Sequence, residues 1–558
     1  MQASDSPRLT FGRFLEDTVR RHRGRRAVFF EGRDILYEEL EADARCLARA
    51  LIGAGVVKGT RVAVLMSNRP EFIVSAFAVG MVGAVLVPVS TFANGEERDY
   101  ILRHSDASVL LMQPALLKHR YLDDLQGAHP GIREGRPGRL RVPALPQLRR
   151  VVVLGEDGVR GGVEDWPGLL EQGEDISEEL LDAVGSEVEP PDDAVLIYTS
   201  GSTANPKGVL HAQRSGVLQG YRFADMLRYE PADCIYTAYP FFWGAGIAMS
   251  ICGTLAAGAR LLLEENFEPG AALDVIESQG CTALHAWVHQ QSALAEHPSA
   301  PGRDLSALRK VEGSGSMAKL VGMKRDEYGF GSSYGLSETF TLSSMNPADA
   351  PARLRHSNHG KPLPGITLRI VDSESGEPLP TGESGEIAVK GVTFMKGYYK
   401  VTPETYLDAA GFFRTQDAGA LDEEGYLHWS GRLSNLIKTG GANVSPIEIE
   451  RALDNCPGVH NGIAVGIPHP RLGEVVVLCV TPTEGALLDT DEIRTFLRGK
   501  LSSYKVPRCV LVYSDADLSF TGNQKVQVAP LRKMVLERLE HEGVEIDGHH
   551  FTGSRTSG

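Results

Sequence analysis

The first half of the chain alternates between two hydrophobic periods. Leu40, Ala44, Leu47, Ala48 and Leu51 recur at three- and four-residue spacing, which predicts a helix with one apolar face. The stretch GAGVVKGT breaks it, and Arg61 to Met66 then reads as a buried strand. Phe72 to Ser90 is uncharged and nearly long enough to cross a bilayer. Gly80, Gly83 and Pro88 interrupt it, so the preferred reading is a buried helix over 70–81, a glycine turn, and a short interior strand over 84–87. A helix near 96–104 and strands at SVLLM, RRVVVLG and DDAVLIYTS follow. Helices alternating with β-branched runs predict an α/β fold, a large N-terminal body of layered, mostly parallel sheets. Residues 133–150, rich in Pro, Gly and Arg, read as a surface loop or insertion.

From about Gly360 the texture changes to short strands between Gly/Pro turns, which predicts a β-rich subdomain at about 360–430. The chain turns polar around Gly431 to Ser434, and a smaller α+β unit follows. The expected boundaries are 1–432 for the N-terminal domain, 433–540 for the C-terminal domain, and 541–558 for a polar, glycine-containing tail expected to be disordered.

Charge narrows the partners. The formal net charge of -15 argues against nonspecific binding to nucleic acid or to an anionic membrane. The basic run Arg20 to Arg26 reads as a solvated helix end. Seven cysteines, scattered and without a CxxC pair, fit a reducing, cytoplasmic setting and supply no metal or disulfide framework. The N-terminus lacks the apolar core of a signal peptide.

Four clusters carry candidate chemistry. In YTSGSTANPKGV an apolar strand runs into Thr199, Ser200, Gly201, Ser202 and Thr203, and Lys207 follows. Glycine permits close backbone approach, consecutive N–H groups form an anion-binding concavity, and the hydroxyls and lysine add donors, so the loop suits a polyphosphate. The order Pro-Lys-Gly fails the Walker A pattern, and a flexible linker would not ordinarily follow an apolar strand. In SSYGLSETF, Glu338 is a candidate Mg²⁺ ligand, Thr339 a phosphate donor, and Tyr334 a ring for a base; a capped loop is the bland alternative. The same stretch satisfies GxSxG, which would make Ser333 a hydrolase nucleophile, but no HGGG-type oxyanion motif accompanies it. In the third cluster, 412–450, Asp417 is placed to accept bonds from vicinal hydroxyls, Arg432 is a second contact for the same sugar or its phosphate, and Gly440 and Gly441 let another ligand approach the backbone. Ser445, Pro446 and Glu448 read as the N-cap, N1 and N3 of a helix. In the fourth, SFTGNQKVQVAPLR, Lys525 sits just beyond a Gly-Asn turn; taken alone, a solvated lysine is the simpler account.

Taken together and in this order, with GYYK and RTQDAG between them, the clusters resemble the adenylate-forming superfamily of acyl- and aryl-CoA ligases, luciferases and peptide-synthetase adenylation domains. The resemblance runs from about Phe11 to Met534. It implies attack of a carboxylate on the α-phosphate of ATP with Mg²⁺ present, release of pyrophosphate, and transfer of the acyl group to a thiol, usually that of coenzyme A. Carried over residue by residue, it puts Thr199 to Thr203 and Lys207 on the pyrophosphate portion, Thr339 on the α-phosphate and Glu338 on the metal. Tyr334 goes against adenine, and Asp417 with Arg432 onto the ribose. Lys525 is the adenylation lysine bridging carboxylate and nucleotide. The smaller domain of the family rotates between half-reactions. Ser434 stands at its hinge, Gly440 and Gly441 shape the thiol's path, and Lys438 is a further cofactor-binding candidate. The sequence departs from the family at Ala204 in the phosphate loop and Gln416 before the ribose aspartate, each in place of glycine, at Ser434 in place of Asp or Lys, at Trp243 where many CoA ligases have His, and in a segment between Gly313 and Tyr334 that is a few residues short.

The acid pocket implied by the resemblance contains Phe242, Trp243, Trp287, His289, Gly313 and Gly335. Aromatic walls with little charge suit an apolar medium-chain, alicyclic or aromatic monocarboxylate, and His289 is either a contact for a polar substituent or a packed histidine. The chain ends soon after the C-terminal unit with no carrier domain attached, which favours coenzyme A. The runner-up is a freestanding adenylation enzyme that loads a separate carrier protein, and a degenerate nucleotide-binding protein is a remote reading. A homodimer is open to it; nucleic acid and a stable membrane span are not expected.

Overall fold

The computed structural model describes residues 9–155, 159–199, 206–439, 442–501, 505–518 and 526–551. Its contacts divide the chain into two compact units. The first comprises Met1–Leu368, Val389–Phe413 and Gly425–Leu427; the second comprises Arg369–Ala388, Arg414–Glu424 and His428–Gly558.

The first unit is built on an eight-stranded sheet. Its order is Gly397–Tyr398, Lys207–Ala212, Asp193–Thr199, Val85–Pro88, Arg61–Leu65, Val109–Met112, Arg150–Val153, Val163–Asp165. The strands from Asp193–Thr199 to Val163–Asp165 run parallel, and the first two close that edge antiparallel. Val85–Pro88 and Val109–Met112 are buried at every residue, as strands covered on both faces must be. The helix Pro70–Met81 is buried along its length apart from Glu71, which explains its membrane-like composition. No helix among the described residues is long and apolar enough to cross a membrane. Gly80 is required there, because a Cβ on it would lie 2.5 Å from the Cβ of Phe11.

The stretch 133–150, expected as a surface loop, is better anchored than its composition suggests. Leu140, Val142, Leu145 and Leu148 are buried in the core cluster over this sheet, while Arg139, Arg141 and Arg149 among and beside them are exposed. A second, five-stranded sheet has the order Ala283–His285, Cys234–Thr237, Arg260–Leu262, Arg26–Phe30, Arg33–Leu36 and is parallel except at the last pair. A third, Ser333–Leu336, Thr341–Met345 and Lys361–Pro362, is antiparallel.

Four strands, Ile366–Val371, Gly385–Gly391, Phe413–Leu421 and Leu427–Arg432, pair in that order in the region expected to be β-rich. In the second unit the long hairpin Val459–His469 and Gly473–Pro482 is flanked by Ile437–Thr439, Ala442–Val444 and Cys509–Val512. Alternation along 475–480 gives each face its own core. Val475, Val477 and Cys479 pack with Leu531, Val535 and Leu539, whereas Val476, Leu478 and Val480 pack with Ile449, Ile493 and Leu497. Ser445 caps the helix Pro446–Ala452 as expected, accepting from the N–H of Glu448 at 3.4 Å.

The tail corrects the expectation of disorder from 541. The helix Val528–Glu542 ends at Gly543 in the left-handed region, and Glu545–Ile546 pairs with His549–His550. Ile546 and Phe551 are buried in the unit's core, and these two apolar anchors outweigh the polar composition around them. Residues 552–558 lie outside the described residues.

All seven cysteines are free, and only Cys46 is exposed. Burial pushes the thiols of Cys252 and Cys281 well up and that of Cys479 up to about 12.

The five-stranded sheet of the first unit carries a buried polar chain. Nε2 of His285 is 2.6 Å from the hydroxyl of Tyr229, and its Nδ1 is 3.2 Å from that of Ser250, which in turn meets Thr237 at 2.7 Å. Burial depresses His285 to about 3. In the unfolded chain the ring titrates near 6.5, so unfolding takes up a proton in the interval between these values. The stability due to the buried neutral ring is present above about pH 7 and is lost as pH falls from about 6.5 toward about 3. Replacing His285 with Gln should lower Tm at pH 7.5 yet flatten its decline toward pH 4, with about one fewer proton bound on unfolding; calorimetry across that range checks it.

Candidate active site

The stems of the phosphate-loop candidate are adjacent antiparallel strands in which Thr199 faces Lys207 and Tyr198 faces Gly208. The hydroxyl of Tyr198 is 2.8 Å from Nδ1 of His104, which fixes the loop's entry. Ser200, Gly201, Ser202, Thr203 and Ala204 lie outside the described residues. Lys207 is exposed, and its Nζ sits 5.0 Å from the ring centroid of Tyr398. The same tyrosine donates its hydroxyl proton to Oε1 of Glu338 at 2.5 Å. One phenol thus ties the lysine at the loop's end to the carboxylate singled out for a metal.

Glu338 sits on a tight turn, Ser337–Thr339, between the strands Ser333–Leu336 and Thr341–Met345. Two successive residues leave that turn in the left-handed region, Phe340 at φ 53 and Thr341 at φ 89. For the β-branched Thr341 this is an outlier, of the kind that persists where surrounding contacts over-determine it. Gly335 makes the turn feasible, since a Cβ there would lie 1.7 Å from the carbonyl oxygen of Thr341.

The side chain expected to meet the α-phosphate does not offer itself. Thr339 is fully buried, and its hydroxyl accepts from the N–H of Leu336 at 3.1 Å and from Ser343 at 3.0 Å, with its proton directed to the carbonyl of Leu336 or Thr341. Thr339 ties the turn together. Ser337, two residues earlier and half-buried, is the hydroxyl beside Glu338 that remains partly accessible. Tyr334, expected to present a ring face, is 4% exposed. The neighbouring Gly335 is the exposed position of that strand. Ser333, the hydrolase alternative, pairs with Met345 in the same strand rather than on a strand-to-helix elbow, so that reading is set aside.

Trp243 and Trp287 approach at 6.5 Å between centroids, and Phe242 meets Trp243 at 5.3 Å. Two rings absent from the sequence reading join them. Phe92, 61% exposed, packs edge-on to Phe242 at 5.3 Å and to Trp243 at 6.3 Å, and Tyr239 lies 4.4 Å from Trp287. A phenylalanine in the otherwise polar stretch STFANGEE was the available signal. The turn is held out by Gly246, where a Cβ would meet the carbonyl of Pro240 at 2.2 Å, and the helix Gly246–Gly253 continues in the wider π form. His289 is exposed in the first turn of Val288–Glu296. Gly313 packs on Asp326, whose Oδ1 a Cβ would meet at 2.4 Å.

In the second unit Asp417 is 2% exposed and is held by Nε of Arg432 at 3.1 Å, while Nη1 of Arg432 donates to the carbonyl of Thr415 at 2.8 Å. Gln416 adopts φ 60, and its N–H donates to Oε1 of Glu386 at 2.8 Å. The glycine-like conformation is therefore kept without the glycine. Lys438 is exposed, and its backbone N–H donates to Glu474 at 2.9 Å. Ser434 falls in the turn Leu433–Asn435. Lys525, Gly440 and Gly441 lie outside the described residues.

The donor set at Glu338 fits a hard cation that arrives with its phosphates. It offers a carboxylate with one oxygen fixed by a phenol and a lysine close by. Among the described residues no group of three or more His, Cys, Asp or Glu forms a closed metal cage.

Comparison with known proteins decides the lineage. The family model described as AMP-binding enzyme matches residues 15–399, and that of the AMP-binding enzyme C-terminal domain matches 448–525. The chain belongs to the AMP-binding enzymes. It is 32% identical to a feruloyl-CoA synthase of Amycolatopsis sp over 91% of this chain and 95% of that one. It is 29% identical to the putative acyl-CoA synthetase YngI of Bacillus subtilis over 95% and 97%. Among solved structures, ATP-bound MatB from Rhodopseudomonas palustris superposes with a TM-score of 0.75 at 27% identity, covering 94% of this chain and 99% of that one. This AMP-binding enzyme is an acid–thiol ligase in general type.

Two substitutions test the local geometry. Gly335→Ala should cost about 1–3 kcal/mol, as overpacking against a backbone carbonyl does, and slow any adenylating activity at least about tenfold; a melting curve and a turnover assay read both. Gln416→Gly should stabilise by about 1 kcal/mol, because a non-glycine residue in the left-handed region carries roughly that penalty, and denaturant unfolding measures it.

Proposed function

We propose that the enzyme activates an aromatic or similarly bulky apolar monocarboxylate with ATP and passes the acyl group to coenzyme A. A carboxylate is a poor electrophile. Its oxygen attacks the α-phosphorus, the bond to the β-phosphate breaks, and pyrophosphate leaves. The thiol sulfur then attacks the acyl carbon, and AMP departs with the bonding electron pair.

The observation that carries this reading is the Lys207–Tyr398–Glu338 arrangement. It brings a lysine and a carboxylate onto one phenol, the lysine following a donor-rich segment of the sequence, as suits a polyphosphate with its metal. In this reading Thr199, Ser200 to Thr203 and Lys207 hold the β- and γ-phosphates, and Ser337, in place of Thr339, donates to the α-phosphate. Glu338 ligates Mg²⁺, which would supply the charge that screens the leaving pyrophosphate. Adenine lies along the strand surface at Gly335 beside Tyr334. Asp417, with one side fixed by Arg432, takes the ribose hydroxyls, and Lys525 bridges the incoming carboxylate and the nucleotide. Ser434 serves as the hinge, with Lys438, Gly440 and Gly441 on the thiol's approach. The rings of Phe92, Tyr239, Phe242, Trp243 and Trp287 support the choice of acid. A planar aromatic acid gains edge and face contacts there that an alkyl chain does not. The similarity to a feruloyl-CoA synthase supports the same class.

Purified enzyme with Mg-ATP, hydroxylamine and a panel of aryl, alicyclic and alkyl acids should release pyrophosphate fastest with an aryl acid, and Lys525→Ala should lose that release. Addition of coenzyme A should then drive AMP formation; release that stays indifferent to coenzyme A would point instead to carrier-protein loading. Trp243→Ala should raise KM for the best aryl acid about tenfold, the equivalent of one aromatic contact of about 1.5 kcal/mol, with a smaller change for an alkyl acid.

A further inference from the structure

The strained turn that carries Glu338 is gripped from behind by one continuous element. The strand Lys207–Ala212 runs directly into the helix Gln213–Met226. From that strand, Nε2 of His211 lies 2.8 Å from the carbonyl oxygen of Ser337. A carbonyl only accepts, so the ring carries its proton on Nε2. From the helix, Nε2 of Gln219 donates to the carbonyls of Thr339 at 3.0 Å and Leu342 at 2.7 Å. Its Oε1 accepts from Nη1 of Arg222 at 3.3 Å, which fixes the amide's orientation. His211 and Gln219 are both fully buried. Gly216 of the same helix closes the grip, since a Cβ on it would lie 3.2 Å from the ring of Phe340. The edge of Phe340 also meets the His211 ring, with centroids 4.7 Å apart.

We propose that His211 and Gln219 are positioning residues for Glu338. They hold the two left-handed residues in place and so aim the carboxylate beside Lys207. This rests on the metal–phosphate role given to Glu338 above. Burial depresses His211 to about 3, so the ring is neutral in the physiological range and its single proton sits on Nε2. Because Lys207 begins the strand that His211 belongs to, the phosphate-binding lysine and the metal-binding carboxylate share one rigid support.

The test uses His211→Met and Gln219→Met, which keep bulk and remove the donor, with His211→Gln as the conservative rescue that restores an N–H near the Nε2 position. Amide hydrogen exchange across 333–345 should quicken about tenfold in both Met variants, as expected when a buried carbonyl loses its donor, and return close to wild type in His211→Gln. Calorimetric affinity for Mg-ATP should fall by a similar factor. Pyrophosphate release should slow with it, and by several-fold more than thioester formation from supplied acyl-adenylate, which keeps the α-phosphate contact to Ser337 but carries no pyrophosphate or metal for Glu338 to hold.

Unchanged exchange in 333–345, or an equal loss in both half-reactions, would overturn the proposal and leave the two side chains as ordinary packing. If wild-type enzyme releases no pyrophosphate with any acid, the functional reading fails. The exchange and nucleotide-affinity measurements then still decide whether the grip exists.

Discussion

The carbonyl of Thr341 lies so close to the backbone of Gly335 that no side chain fits between them. Most of the active-site geometry in the first unit follows from that contact. The same place carries a register shift between Tyr334 and Gly335 in the pairing of the two strands. The chain between them can then only turn through two left-handed residues. The turn buries Thr339, leaves Ser337 partly open, and directs Glu338 toward Tyr398. A turn of this kind is unfavourable in isolation. It survives because nearly every carbonyl in it is met by a donor from another element, including the N–H of Met395 on the carbonyl of Glu338 at 2.7 Å.

Charge is used sparingly in the same region. Lys207 and Glu338 do not form a direct ion pair; a phenol stands between them, stacked under one and bonded to the other. A direct pair would satisfy itself and leave less for a ligand to gain. Separated in this way, each keeps part of its capacity for an incoming charge. In the second unit the opposite choice is made. Asp417 is deeply buried, and Arg432 compensates its charge directly, as a buried carboxylate requires.

Much of this was legible from residue order. The uncharged run Phe72 to Ser90, broken by Gly80, Gly83 and Pro88, gave the helix and the following interior strand within a residue. Ser445 and Pro446 marked a helix start through local chemistry that needs no tertiary context. What escaped depended on contacts between distant segments. Spacing supplies three hydroxyl or carboxyl groups at 337–339 but cannot say which faces inward, and here the inward one is Thr339. The donors His211 and Gln219 lie more than a hundred residues from the turn they support. The hairpin after Glu542 is written in only three apolar residues, Val544, Ile546 and Phe551, too few to stand out from a polar tail.

The cysteine pattern has a consequence of a different kind. An enzyme that works on a thiol co-substrate also meets the oxidised, disulfide form of that thiol, which a protein thiolate attacks to give a mixed disulfide with release of the free thiol. Disulfide exchange needs a thiolate and an open approach. Six of the seven thiols are withdrawn from the surface wholly or in part, and burial holds Cys252, Cys281 and Cys479 in the unreactive protonated form. Cys46 alone stands exposed, on the helix Tyr37–Gly53. Cys46 is thus the most open of the seven positions for a thiol-directed probe, although desolvation raises its thiol as well.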